Sequence, residues 1–339
     1  PLDIASAQIT GDEGHLDLVV VNSADNSIQA LLNDGSGSFV AQAAIDTGGS
    51  APVSIVTGQF SGDNSADLAV AHTAPSSTDS ALGDVRILEG DATGNFTLTA
   101  ARYEVGATPT DLVAANFDGD IDGRLDLAVS NFGSNSISIL TGNPDGTFAI
   151  QTQTLGTASG AFDIAADDID NDGDIDLVAS NLLDRNISIF RNITNAAGTT
   201  SFEPLEAVGL GQFGIAQRMP LALANFDQDT LAPGGAGTVD IVAIPRLTDT
   251  IHVLNNTLVN GAHRVELTGL NQVENLDFIV TPATLLPSLD PIANPSAILE
   301  DASLQTLMLT GIVKGRSGGP ALQIEAASAN PALLPNPVI

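Results

Sequence analysis

The stretch Asp168-Ile169-Asp170-Asn171-Asp172-Gly173-Asp174-Ile175-Asp176 constrains this chain more than any other. Carboxylates fall at loop positions 1, 3, 5 and 9, glycine falls at position 6, and an apolar run, Leu177-Val178-Ala179-Ser180, begins as the loop ends. Alternate side chains of a tightly curled loop converge on its centre. Four acidic groups would then repel one another unless a cation sat between them. Hard oxygen donors in that number suit calcium at about 2.3–2.6 Å. Gly173 permits the left-handed backbone that the curl needs. The helix-flanked calcium loop is a different object, because position 12 here carries no glutamate and no helical pattern flanks the loop.

The loop recurs, and its recurrence sets the architecture. Each copy reads as a small-residue strand, an acidic loop, an Asp-Leu-Val type strand, a further hairpin and a Gly-x-Phe turn. The loop-closing aspartate moves from Asp17 to Asp67, Asp126, Asp176 and Asp240, in steps of 50 to 64 residues. The first strands are Ile4-Ala5-Ser6-Ala7, Leu112-Val113-Ala114-Ala115, Ile164-Ala165-Ala166 and Leu221-Ala222-Leu223-Ala224; small side chains suit strands crowded near an axis. Asp34 to Phe39, Gly94 to Phe96 and Asp145 to Phe148 read as outer hairpin turns. Five copies of a multi-strand unit indicate a β-propeller of at least five four-stranded blades, in an all-β chain. The blades are expected at about 1–51, 52–108, 109–160, 161–217 and 218–281.

The pattern from Asp168 to Val178, followed by Asn186-Ile187-Ser188-Ile189-Phe190, resembles the FG-GAP/VCBS repeat of integrin-α-like propellers, and the resemblance runs from residue 1 to about 256. It implies a cation loop between the first and second strands of a blade. By that match Asp168, Asp170, Asp172 and Asp176 supply side chains and Asp174 a carbonyl. In the third blade Asn116, Asp118 and Asp120 take positions 1, 3 and 5, and Asp126 closes the loop across an insertion at Ile121 and Asp122. Counting back from Asp126 gives Asp118, Asp120 and Asp122 instead; the first register keeps Phe117 in the buried slot shared by Ile9, Phe60 and Phe226. The fifth blade keeps Asn225, Asp227, Asp229 and Asp240 around an interruption from Leu231 to Gly237. The loops at Gln59, Ser61, Asp63 and Asp67 and at Gln8, Thr10, Asp12 and Asp17 have two carboxylates each, and read as weak sites or hydrogen-bonded turns.

Beyond Leu254 the texture changes. His263 to Leu267 and Leu276 to Val280 alternate like strands that finish the last blade, and prolines 282, 287, 291 and 295 mark a linker. Residues 282–339 are similar to the first half of a bacterial Ig-like or cadherin-like repeat, a partial β-sandwich. An Ig-like domain needs about 100 residues, so a longer parent with further Ig-like domains is expected.

Net charge narrows the partners. The 41 acidic residues outnumber 10 basic ones, for a formal charge of -31. Such a surface repels phosphate backbones and anionic lipids, which leaves no role for nucleic acid. No apolar run reaches the roughly 18 residues of a membrane span, so direct membrane insertion is not expected. The absence of cysteine fits a secreted bacterial protein held by metal. Four histidines (His15, His72, His252, His263) occupy non-equivalent places and read as surface or hairpin residues; Tyr103 reads as packing between blades. The sequence contains no Gly-x-Ser-x-Gly, His-Glu-x-x-His or phosphate-loop motif. The expected function is therefore a non-enzymatic calcium-binding (Ca2+) module of a large secreted or cell-surface bacterial protein. It would be used in adhesion to an extracellular protein or carbohydrate ligand, presented by variable loops such as His72 to Asp84 and Ile193 to Ser201. The alternative is the propeller domain of a secreted polysaccharide-degrading enzyme. Extracellular-type calcium sites have dissociation constants on the order of 10⁻⁴–10⁻³ M.

Overall fold

The computed structural model describes residues 1–266 except 11–13, 64, 75–81, 120–123, 152–154, 195–199, 206, 211–217, 226–238, 246–250 and 260–261. The chain divides into two compact units, Pro1–Asn275 and Leu276–Ile339. The strands expected from Leu276 onward, including the Ig-like segment, lie outside the described residues.

Five antiparallel sheets follow one another along the first unit, each with its strands in chain order. The first comprises Asp3–Ala7, Asp17–Asn22, Ser27–Asn33 and Phe39–Ala41. The second comprises Ser50–Gly58, Asp67–Ala74, Leu82–Gly90 and Phe96–Ala107. The third has Pro109–Ala115, Asp126–Asn131, Ser136–Gly142 and Phe148–Ile150; the fourth has Ala161–Asp167, Asp176–Asn181, Asn186–Asn192 and Phe202–Pro204. Leu221–Ala224, Asp240–Ala243, His252–Val259 and Ala262–Glu266 form the fifth. A short extra strand pairs with the third strand of the first, third and fourth sheets. In every sheet the loop-closing aspartate opens the second strand opposite the last residue of the first, as in Ala7 with Asp17 and Asp167 with Asp176.

Packing between neighbouring sheets explains the sequence texture. Four apolar clusters form, one for each consecutive pair of sheets. In the second strand of the third sheet, Leu127 and Val129 pack toward the second sheet while Ala128 packs toward the fourth. A strand covered on both faces must be apolar at consecutive positions, which is why Asp126–Asn131 and Asp176–Asn181 are buried throughout. The same strand of the first sheet, Asp17–Asn22, instead alternates buried and half-buried residues. The acidic loops of the first four sheets each send one apolar side chain toward the following sheet: Ile9, Phe60, Phe117 and Ile169 are 0–3% exposed. Full burial of a side chain like Phe117 is worth about 2–3 kcal/mol.

The first strands of successive sheets lie against one another. Hydrogen bonds from equivalent positions join them. Asp3 accepts the Ile55 N–H at 2.9 Å, Asp111 the Ile164 N–H at 3.0 Å, and Asp163 the Leu221 N–H at 2.8 Å. Each carboxylate thus binds the amide that follows its own counterpart in the next sheet, Ser54 taking that place in the second sheet. Tyr103 packs between the second and third sheets as expected. Its ring meets Phe148 edge-on at 5.4 Å, and its hydroxyl accepts the Phe148 N–H at 3.2 Å.

His72 lies in a hairpin, as expected, but not at the surface. It is fully buried, on the strand Asp67–Ala74 directly opposite Asp84, so neither end of the presumed ligand-facing segment from His72 to Asp84 is loop. Nε2 of His72 lies 2.9 Å from the Thr47 hydroxyl, Nδ1 lies 3.2 Å from Asp84, and Arg102 donates to Asp84 at 2.7 Å. Polar neighbours on both strands and on the connection from the first sheet make burial of the imidazole possible, and the group braces that junction. Thr47, His72 and Asp84 are all 0% exposed. His252 is buried as well, and burial pulls its pKa down.

Candidate metal centre

The loop-closing aspartates of the first four sheets share one role. Asp17 Oδ2 accepts the N–H groups of Ile9 and Thr10, both at 3.1 Å, and its Oδ1 accepts that of Asn33 at 2.8 Å. Asp67 accepts from Phe60 at 2.8 Å, Ser61 at 2.7 Å and Gly90 at 3.0 Å. Asp126 accepts from Phe117, Asp118 and Gly142 at 2.7, 3.1 and 2.8 Å. Asp176 accepts from Ile169 at 3.0 Å and Asn192 at 2.7 Å, and Asp240 from Asn256 at 2.8 Å. All five are 0–1% exposed. In the first four sheets one oxygen holds the start of the loop and the other holds the end of the third strand; Asp240 makes the corresponding bond to its own third strand. This latch is present in the first two sheets, where the loops carry few carboxylates, so recurrence of the aspartate needs no metal to explain it. Sequence reasoning missed the role because backbone N–H groups leave no residue signature.

Among the described residues, the fourth sheet adds a convergent acidic group. One oxygen from each of Asp168, Asp170 and Asp176 lies within 4.8 Å of the others, the one such group of three among the described residues. Two oxygens on a single calcium ion are at most about 5 Å apart. The all-oxygen donor set and its spacing therefore fit a hard divalent cation. The loop is curled by its own carboxylates: Asp168 accepts the Asp172 N–H at 3.1 Å and the Gly173 N–H at 3.0 Å. Gly173 takes φ +98°, a conformation that a side chain resists. Asp172 is exposed and accepts the Asp174 N–H at 3.0 Å, so it curls the loop and stands outside the three-carboxylate group. Burial raises the pKa of Asp176 to about 7, and the Asp170 and Asp172 charges add to that rise.

In the third sheet Asn116 accepts the Gly119 N–H at 2.8 Å, and Asp118 adds its charge beside Asp126, whose pKa burial raises to about 7. Phe117 fills the buried slot and its N–H meets the latch as that of Ile169 does, matching the register with Asn116 first. Asp120, and the Asp122 of the other register, lie outside the described residues. So do Asp227 and Asp229 of the fifth sheet, where Asn225 and the latch Asp240 remain. In the second sheet a guanidinium stands at the loop. Arg124 donates to the Phe60 carbonyl at 3.4 Å, and its Nη2 is 2.4 Å from where a Cβ on Gly62 would sit.

The loops also tie neighbouring sheets together. The Phe117 carbonyl accepts the Asn192 amide at 2.8 Å, and the Ile169 carbonyl accepts the Asn256 amide at 2.6 Å. Whatever stiffens a loop therefore stiffens the junction with the next sheet.

These features define an all-β protein of recurring antiparallel sheets, each with an aspartate at the head of its second strand and, in the fourth, a convergent group of carboxylates. Residues 11–70 and 122–179 match the profile of the FG-GAP-like repeat. Each match ends in the second strand of the sheet after the one it starts in. No curated protein sequence matches the chain. Among solved structures, a functionally unknown protein from Desulfotomaculum acetoxidans DSM 771 is similar over 78% of this chain and 68% of its own, at 11% identity and a TM-score of 0.52. That likeness concerns fold alone. A proposed 6-phosphogluconolactonase from Bacteroides uniformis ATCC 8492 is similar over 78% of this chain and 83% of its own, with 15% identity and a TM-score of 0.42. Another from Bacteroides fragilis NCTC 9343 has 16% identity and a TM-score of 0.43 over 78% and 82% of the two chains. At those scores neither bears on activity.

Proposed function

We propose that the chain is a calcium-stabilised, propeller-type recognition module of a large secreted or cell-surface bacterial protein, and that it performs no chemistry of its own. The observation that carries the calcium reading is the three-carboxylate group of Asp168, Asp170 and Asp176. Calcium there neutralises charges that otherwise repel, and pins the loop between the first two strands of the sheet. Through Ile169 and its bond to Asn256 it also tightens the junction with the fifth sheet. Support for a propeller comes from the side-by-side first strands and from the apolar core between each consecutive pair of sheets. The FG-GAP-like repeats support an extracellular setting. They also favour adhesion to a protein or carbohydrate ligand over catalysis.

The test is a thermal melt of the purified chain with calcium and with chelator. Calcium raises the midpoint of the native chain, and Asp170→Ala removes most of that response. Equal midpoints in the two conditions refute the calcium reading. A glycan array run in parallel should show calcium-dependent capture without product; release of a hydrolysed sugar would place the module among degradative enzymes instead.

A further inference from the structure

Arg191 precedes Asn192, whose N–H holds the Asp176 latch, so it stands at the rim of the three-carboxylate group. Its Nη1 is 3.9 Å from Asp170 Oδ2, and its Nη2 pairs with Glu203 on the neighbouring strand. The arginine side chain is 41% exposed and that of Asp170 14%. The residues at the same place elsewhere, each one before the amide that reaches the latch, are Leu32, Glu89, Thr141 and Asn255. None is basic. The single basic residue at this position falls beside the loop with the most carboxylates.

A guanidinium there does two things to a cation. It lowers the energy of the metal-free loop by offsetting the Asp170 charge, and it repels a dication that arrives. Both weaken binding. Glu203 gives the guanidinium a second partner, so an incoming ion need not leave it stranded.

We infer that Arg191 is a built-in competitor for the cation at Asp168, Asp170 and Asp176, holding Asp170 when the ion is absent and yielding to Glu203 when it binds. The inference rests on reading this loop as a cation site. It makes the affinity of the best-formed loop lower than its ligands alone would give, so that occupancy follows the surrounding calcium concentration. One unit charge at this distance in a half-solvated setting changes a binding constant by about 5- to 10-fold.

Isothermal titration of the full chain with calcium chloride tests this, with the isotherm of Asp170→Asn subtracted to isolate the loop. Arg191→Gln should bind about 5- to 10-fold tighter than the native chain, and Arg191→Lys close to native. Glu203→Gln should bind more weakly, because the guanidinium then has only Asp170. Added salt should narrow these differences. In chelator, Arg191→Gln should unfold at lower denaturant than the native chain. If Arg191→Gln binds as the native chain does, or more weakly, the competitor role is refuted while the calcium reading stands. If neither chain takes up calcium, the cation reading fails and the inference falls with it, whatever the denaturation midpoints show. Should Arg191→Gln not fold, the Glu203→Gln isotherm decides alone: tighter or unchanged binding overturns the inference.

Discussion

Replacing Asp67 by alanine isolates the latch from any metal, because its loop has only Asp63 as a second carboxylate. The substitution strips three backbone N–H groups, those of Phe60, Ser61 and Gly90, of an acceptor at 2.7–3.0 Å. Hydrogen bonds to a charged group are each worth about 1.5–3 kcal/mol, and a buried donor left unpaired forfeits most of that. Release of a fully buried carboxylate from its apolar surroundings offsets part of the loss. The net cost is about 3–5 kcal/mol. For a chain of this size each kcal/mol corresponds to about 2–4 °C, so the midpoint should fall by about 6–20 °C. Asp67→Asn should lose part of this, since its one oxygen can still accept from Phe60 and Ser61 while its NH2 then faces the Gly90 N–H. Asp63→Ala, on the exposed part of the same loop, should stay within about 0.5 kcal/mol of native. The assay is guanidinium unfolding followed by circular dichroism, with chelator present throughout. If Asp67→Ala unfolds within about 1 kcal/mol of the native chain, the latch is not what holds the loop.

Two further outcomes follow from the buried carboxylates. Burial raises the pKa of both Asp126 and Asp176 to about 7, so the folded metal-free chain binds protons that the unfolded chain has released. Its stability should therefore fall as pH rises from about 4 to 7 and level off above that; saturating calcium, which favours the ionised form, should flatten or reverse the slope, as denaturant midpoints at pH 5 and 7.5 would show. Asp111→Asn should be neutral or stabilising at pH 7, read by the same unfolding assay. Ser54 Oγ sits 2.7 Å from Asp3 and 2.8 Å from Asp111, and one hydroxyl proton cannot serve two carboxylates. Burial and the Asp163 charge push the Asp111 pKa well up, so an amide that donates to Ser54 and accepts from Ile164 suits the place better; a loss above about 2 kcal/mol would contradict this.

Much of the architecture was legible because it is local and repeated. Strands such as Ile137 to Leu140 and Ile187 to Phe190 announce themselves by β-branched and apolar runs, and the turns at Asp34 and Asp145 by their glycines. Phe117 could be placed in its slot by comparison with Ile9 and Phe60. His72 could not. A histidine at the head of a polar segment reads as exposed until Thr47 and Asp84 are seen on either side of it. The aspartates at 17, 67, 126, 176 and 240 were visible as a period, yet their partners are main-chain amides of the acidic loops and of the third strands.

The sequence alone determined an all-β chain of recurring sheets, each carrying an acidic loop of graded charge, because strand period, turn chemistry and carboxylate count are written residue by residue. Only the tertiary structure decided which carboxylates serve the fold and which face one another. Asp176 does both, Asp67 serves the latch, and Asp172 turns back on its own loop. The reason is distance: a charge is assigned its work by what lies within a few ångströms, and Arg191 and Asp170, 21 residues apart in sequence, become neighbours only when the sheet has formed.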